Sequence, residues 1–360
     1  MKRRVVITGA GTINPALHGD STAIASWLAG LGPRPARPRR IDDRALETLL
    51  DGTEARRLSR PCRMSVVSAR AALADAGLPG GDSLGLVVGT ELGDLRSTIE
   101  FADGYLGSGP SGCSPLLFPN TVMNTMAAAT TIAVGARALS LTLNAPTVAG
   151  ELAVAYAAGA IAAGRMDAVL AGGVDELDAL CAEMLSVLGD RGDRGEGATY
   201  LVLESWEHAR ARDARPLGEI RGTAWRALVA RPHGVGRGVT SRAVASALGQ
   251  ARCAPSEIAW LYSSANGDVA RDRWEQGVLR AAGIASGRSG VSLTETVGHH
   301  AGLGALRVAA AAWSTRAGRL PGDPLERVGR DAFGPGAPGL VHGLARGGTH
   351  VALVVGPPPA

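Results

Sequence analysis

SPLLFPNTVMNTMAAATTIAVGARALSLTLNAPTVAGELAVAYAAGAIAAGRMDAVLAGGVDELD fills residues 114–178, and its grammar decides the fold. A proline-bounded loop leads into a small-residue helix expected over 120–135. A strand is expected at 138–144, an alanine-rich helix at 149–164 and another strand at 167–172, closing on paired glycines. Outward toward the amino terminus, 84–90 (LGLVVGT) reads as a buried strand. Residues 65–78 read as an amphipathic helix closed by Gly77. The segment 4–11 reads as a strand running into a glycine turn, and the Pro-, Arg- and Asp-rich stretch 30–62 as a surface excursion. A loop is expected around Gly107, Gly109 and Gly112. Further strands are expected at 200–204 and 218–222.

The second half repeats this pattern. Helices are expected at 242–250, 273–282 and 302–317, with strands at 258–264, 289–293, 339–345 and 350–356. Short apolar strands alternating with helices predict mostly parallel sheets covered on both faces. Two similar halves, 1–215 and 216–360, suggest a duplicated layered α/β fold.

Composition narrows the possibilities. The chain has 360 residues, 46% hydrophobic and 19% charged, enough to bury a large core and too apolar for wholesale disorder. No apolar run approaches the ~18 residues of a membrane span. The start, MKRRVVITGAG, lacks the long apolar region of a signal peptide, so a cytoplasmic protein is expected. Net charge is +4, and Lys2 is the only lysine. The arginines are scattered and only 13 aromatics (3 Phe, 6 Trp, 4 Tyr) are available for stacking, which argues against a nucleic-acid partner. Cys62, Cys113, Cys181 and Cys253 form no CxxC pair, and no HExxH occurs, so no metal site or disulfide framework is expected. The GAG at 9–11 is followed by Thr12, Ile13, Asn14 and Pro15. That breaks the dinucleotide fingerprint, and no cofactor is expected.

The 114–178 stretch resembles the core of the β-ketoacyl synthases of the thiolase superfamily. Blocks at the start (VVITGAGTINP), 195–204 (GEGATYLVLE), 263–275 (SSANGDVARDRWE), 294–305 (TETVGHHAGLGA) and 345–355 follow in the family's order. The loops around 187–194 and 226–240 are shorter. The resemblance implies a duplicated thiolase-like αβαβα layered fold that works as a dimer.

It also implies what the chemistry should be. A ketosynthase needs a thiolate at a sharp strand-to-helix turn and two histidines to polarise a malonyl thioester. The family's nucleophile motif falls on Ala145, Pro146, Thr147, Val148, Ala149 and Gly150, so Thr147 stands where cysteine belongs. A lone Thr hydroxyl is a poor nucleophile without a base beside it. The first histidine's loop reads Ala265, Asn266, Gly267, Asp268, and Asn266 cannot carry a proton through the reaction. The family's lysine falls on Thr294 or Glu295, depending on a one-residue gap. His299 alone is retained, and Arg346 occupies the aromatic gate position.

Three of four catalytic positions therefore change together. The pattern resembles the chain-length factors of type II polyketide synthases. These are non-catalytic subunits that pair with an active ketosynthase and line the tunnel for the chain carried by an acyl carrier protein. On that resemblance no catalytic residue is expected at Thr147, Asn266 or His299. The segment with Val122, Met123, Asn124, Thr125 and Met126 is expected to face the partner's tunnel. Val122 matches the position of a bulky tunnel stop, and Met123 and Met126 could reshape an apolar channel. Ordinary core packing is the plain alternative for each. Two other functional readings stay open: a repurposed acyltransferase or condensing enzyme using Thr147 or His299, and a scaffold that binds carrier protein without shaping a tunnel.

Overall fold

The computed structural model describes residues 3–31, 39–190, 192–284, 290–322 and 334–359. The first half contains β1 (Val5–Asn14), β2 (Leu17–Asp20), α1 (Ser21–Ala29), α2 (Asp43–Glu47), α3 (Gly52–Ala55), α4 (Arg60–Ala76), β3 (Leu84–Thr90), α5 (Leu95–Ser108), α6 (Thr125–Val134), β4 (Leu139–Asn144), α7 (Ala149–Ala162), β5 (Ala168–Asp175), α8 (Ala179–Val187), β6 (Gly197–Ser205) and α9 (Trp206–Ala211). The second contains β7 (Gly218–Ala227), α10 (Arg242–Ala251), β8 (Trp260–Ser263), α11 (Val269–Ala281), β9 (Gly290–Val291), α12 (Thr294–Val297), α13 (Gly302–Ala317), β10 (Gly339–Leu344) and β11 (Thr349–Gly356).

The strands run β4-β3-β5-β6-β1 through the first half and β9-β8-β10-β11-β7 through the second. With the five main strands of each half numbered in chain order, both read 3-2-4-5-1. The halves join where β1 and β7 pair antiparallel at their starts, Val5 opposite Ile220 and Ile7 opposite Gly218. Duplication, invisible as a sequence repeat, is thus plain in the topology.

Mostly parallel pairing was the expectation, and it needs correction. Six of the ten described pairings are antiparallel. Alternating strand and helix fixes parallel crossovers only for strands 2, 3 and 4 of each half. The closing strand of each half reverses, most tightly where four residues link β10 to β11.

The layers follow from burial. Helices α7 and α13 lie between the two halves of the sheet, each touching strands of both. Every residue from Gly302 to Thr315 is buried, which explains why α13 is alanine-rich on all sides rather than amphipathic. Outside, α4 covers β1 and β6, and α10 covers β7 and β11. One core runs from Val5 to Val355 through both halves.

Boundaries moved where caps or β-branching ruled. α4 starts five residues earlier than expected, at a Pro in its first turn. The helix expected over 120–135 begins only at Thr125, because Asn124 leaves helical geometry (φ −94°, ψ 10°). Helix α11 starts at Val269, capped by the Asp268 side chain. Helices α5 and α8 went unread, lost in a glycine-rich loop and after the paired glycines. Of the strand expected at 289–293, residue 289 lies outside the described residues and only Gly290–Val291 pairs.

Candidate functional site

The site lies where β3, β4 and β5 end and the turn before α13 begins. Thr147 sits in the turn between β4 and α7, buried, at φ +66°. That backbone region costs a β-branched residue roughly 1–3 kcal/mol. Leu293, fully buried after β9, holds φ +63°. The third strand of each half therefore ends in a strained buried residue ahead of the central helices. No side-chain hydrogen bond to the Thr147 hydroxyl is found among the described residues. Helix α7 is pressed against the turn before α13: a Cβ on Gly150 would lie 2.0 Å from the Ala301 carbonyl oxygen, so only glycine fits there.

Asp175, at the end of β5, ties these pieces together. It accepts hydrogen bonds from the Thr90 hydroxyl (2.7 Å), the Glu91 amide (2.9 Å) and the Ala301 amide (2.7 Å). Burial, with Glu91 nearby, lifts its pKa to about 6.

Glu91 then projects into the space in front of His299. Arg194 donates to both its oxygens, at 2.6 and 3.3 Å, and Asp190 braces the far side of Arg194. Burial works to raise the Glu91 pKa, but His299 and Arg194 outweigh it and hold the carboxyl at about 2. His299 Nε2 is 3.7 Å from Glu91, beyond a hydrogen bond. Burial, helped by the charge of Arg194, depresses the His299 pKa, so the ring is neutral at pH 7. Neither of its nitrogens has a hydrogen-bond partner among the described residues. The cavity it shares with Arg194, Asp175 and Cys181 is about 10 Å³, room for one water. Cys181 is a free thiol there, but burial pushes its pKa to about 11, so it stays protonated.

Asn266 comes close to His299 through the backbone. The Asp193 amide donates to the Asn266 carbonyl at 2.7 Å, and the His299 amide donates to the Asp193 carbonyl at 2.7 Å. The Asn266 side chain turns back on its own loop and accepts from the Asp268 amide at 3.2 Å. Of the two positions matched to the family's lysine, Thr294 is buried and donates to the Ala265 carbonyl at 2.8 Å, whereas Glu295 is exposed. Arg346 pairs with Asp268 at 2.5 Å and so locks the glycine loop to the start of α11.

The residues expected to face a tunnel separate. Met126 is fully buried beneath α4, while Val122 and Met123, in the turn before α6, are 46% and 40% exposed. Sequence reasoning missed Glu91, Arg194 and Asp175. A charge directly at the end of a buried strand, as in VVGTE, was the available signal. It also missed a buried network in which Arg271 and Glu275 meet on the Ser264 hydroxyl, at 2.8 and 3.0 Å, with His342 on Glu275 at 2.9 Å.

Residues 41–187 match the model of the β-ketoacyl synthase N-terminal domain. The 3-oxoacyl-[acyl-carrier-protein] synthase 2 of Synechocystis is 27% identical, over 89% of this chain and 87% of its own. The putative polyketide β-ketoacyl synthase 1 of Streptomyces halstedii is 29% identical, over 86% and 85%. Among solved structures, the ishigamide ketosynthase/chain length factor superposes with a TM-score of 0.82 at 23% identity, over the full length of both chains. A type II polyketide synthase complex of an acyl-carrier protein with its ketosynthase gives 0.78 at 19%, over 99% of this chain and 100% of that one. This chain is thus similar to the β-ketoacyl synthase N-terminal domain over residues 41–187. Its fold is the thiolase-like fold of ketosynthase structures. Among the described residues no helix is long and apolar enough to cross a membrane.

Proposed function

We propose that this protein is a non-catalytic chain-length factor that pairs with an active ketosynthase and shapes the tunnel for a polyketide chain delivered by an acyl carrier protein, in the cytoplasm. One observation carries the reading. The space in front of His299 is taken by the buried Glu91–Arg194 pair, leaving room for one water. A thioester approaching His299 from that side would have to displace the pair, and no side chain is hydrogen-bonded to the Thr147 hydroxyl among the described residues.

The surface supports a partner. Leu116, Phe118 and Ile132 are 87%, 60% and 84% exposed, and Val122 and Met123 are exposed as well. Helix α6, which carries Ile132, packs against β4, the end strand of the sheet. An apolar face next to an open strand edge calls for a protein partner. The solved relative whose printed description joins ketosynthase and chain length factor is consistent with this pairing.

Co-expression with a ketosynthase that retains its cysteine, histidines and lysine tests the proposal. The pair co-purifies, and Val122→Trp shortens the products. Unchanged product length with Val122→Trp and Met123→Trp rules out the tunnel role. The retained strained turn at Thr147 favours one competing reading, an acyltransferase acting through that hydroxyl. An acyl adduct on the isolated chain, lost in Thr147→Ala and seen by intact mass, would establish it.

A further inference from the structure

The pseudo-twofold that relates the halves exposes a missing strand. Its axis passes between Val6 and Glu219, so Thr8 corresponds to Arg221. Both residues are bulges, skipped in the register with β6 and β11 respectively. Continuing outward, Gly11–Asn14 of β1 is covered on its inner edge by β2, with Gly11 opposite Asp20 and Asn14 opposite Leu17. The corresponding stretch of β7, residues 224–227, has no strand on that edge among the described residues. Trp225, Arg226 and Ala227 are exposed.

The open edge is held by side chains. The Gln250 carboxamide accepts from the Thr223 amide at 3.4 Å and donates to the Thr223 carbonyl at 2.9 Å. It stands where a neighbouring strand's peptide group would stand. Arg226 Nη1 donates to the Trp225 carbonyl at 2.7 Å. These groups border an open groove of about 890 Å³ between α7, β7 and α10.

Its walls are basic. Arg3, Arg4, Arg221, Arg226 and Arg252 line it, against one carboxylate, Glu219. Arg4 neutralises Glu219 through two 2.8 Å hydrogen bonds. Arg221, Arg226 and Arg252 make no ion pair among the described residues, and Arg226 and Arg252 are exposed. The chemistry combines a strand edge, an exposed indole and three uncompensated guanidinium groups.

We propose that the β7 groove binds an extended acidic segment of a partner protein, which adds as a strand along Thr223–Ala227 and sets its carboxylates on Arg226 and Arg252. A strand edge supplies main-chain affinity and the arginines supply selectivity. The fold already shows, in β2 on β1, that a four-residue strand is accepted at this kind of edge. None of these residues belongs to the His299 site, so the proposal stands apart from the chain-length reading.

The probe is a fluorescein-labelled hexapeptide of alternating glutamate and valine, titrated against the full-length protein by anisotropy. Replacing glutamate with glutamine, or a central valine with proline, weakens binding by about tenfold or more. R226E/R252E does the same, with an unchanged melting curve as the folding control. Gln250→Ala, which removes the internal competitor for Thr223, tightens binding by about threefold. The proposal is overturned by any of four results: no binding of the acidic peptide, equal binding of the proline peptide, indifference to R226E/R252E, or equally tight binding of an oligo-dT of similar charge, which would mark a general polyanion site.

Discussion

Arg194→Met separates a buried Glu91–Arg194 pair from an ordinary surface ion pair. Glu91 and Arg194 have side chains only 5% and 12% exposed. The Glu91 carboxyl is held at about 2 against an ordinary 4.5. In a buried carboxyl that depression corresponds to roughly 3 kcal/mol of stability at neutral pH. Because the folded pKa lies below the unfolded one, the contribution is complete above 4.5 and disappears as the pH falls through 2. Removing Arg194 leaves a buried carboxylate without its guanidinium partner, a change that costs about 3–5 kcal/mol at pH 7. Glu91→Gln/Arg194→Met takes away the stranded charge, so the double variant recovers most of the loss. Urea denaturation of the wild type, Glu91→Gln, Arg194→Met and the double variant at pH 7 and pH 3, followed by far-UV circular dichroism, measures the coupling. A coupling below about 1 kcal/mol at pH 7, or a cost of Arg194→Met that does not shrink at pH 3, refutes the claim that the pair is buried and fills the site.

Other outcomes follow from the same geometry. Arg307 and Glu151 form a buried pair between α13 and α7; Arg307→Met lowers stability by about 3–5 kcal/mol while Glu151→Leu/Arg307→Met comes back close to wild type, as read by urea denaturation. Gly93 adopts φ +67°, and a Cβ there would lie 2.6 Å from Met123 Sδ; Gly93→Ala costs about 1–3 kcal/mol and lowers the melting temperature. Thr147→Cys puts a thiol at the strained turn but restores no proton carrier at Asn266 or Thr294, so the isolated variant gives no chain extension from malonyl carrier protein, measured by product mass.

The order of the main elements was legible because this fold writes its buried strands as short apolar runs and its central helices as unbroken alanine and glycine. The alanine-rich helix was expected over 302–317 and runs Gly302–Ala317. Strand direction was not legible, since nothing local in GLVHGL or THVALVVG says that a four-residue link reverses the chain. At the site, the departures proposed at Thr147 and Asn266 could be read from motif positions, because single residues carry them. The buried pair could not. Glu91 and Arg194 lie 103 residues apart and meet only because Asp175 gathers the ends of β3 and β5 under the turn before α13. The placement of Val122 outside and Met126 inside depended on where α6 begins, and hence on the non-helical Asn124.

Helix α13 belongs by sequence to the second half, yet its side chains complete the interior of the first, against β5 and β6. Neither half can then close over water-free packing without the other. Fragments cut near residue 215 are expected to be insoluble separately and to regain structure only when mixed. Such pieces behave as complementing portions of one folding unit, and evolution that remodels one half must keep the surface that the other half's helix occupies.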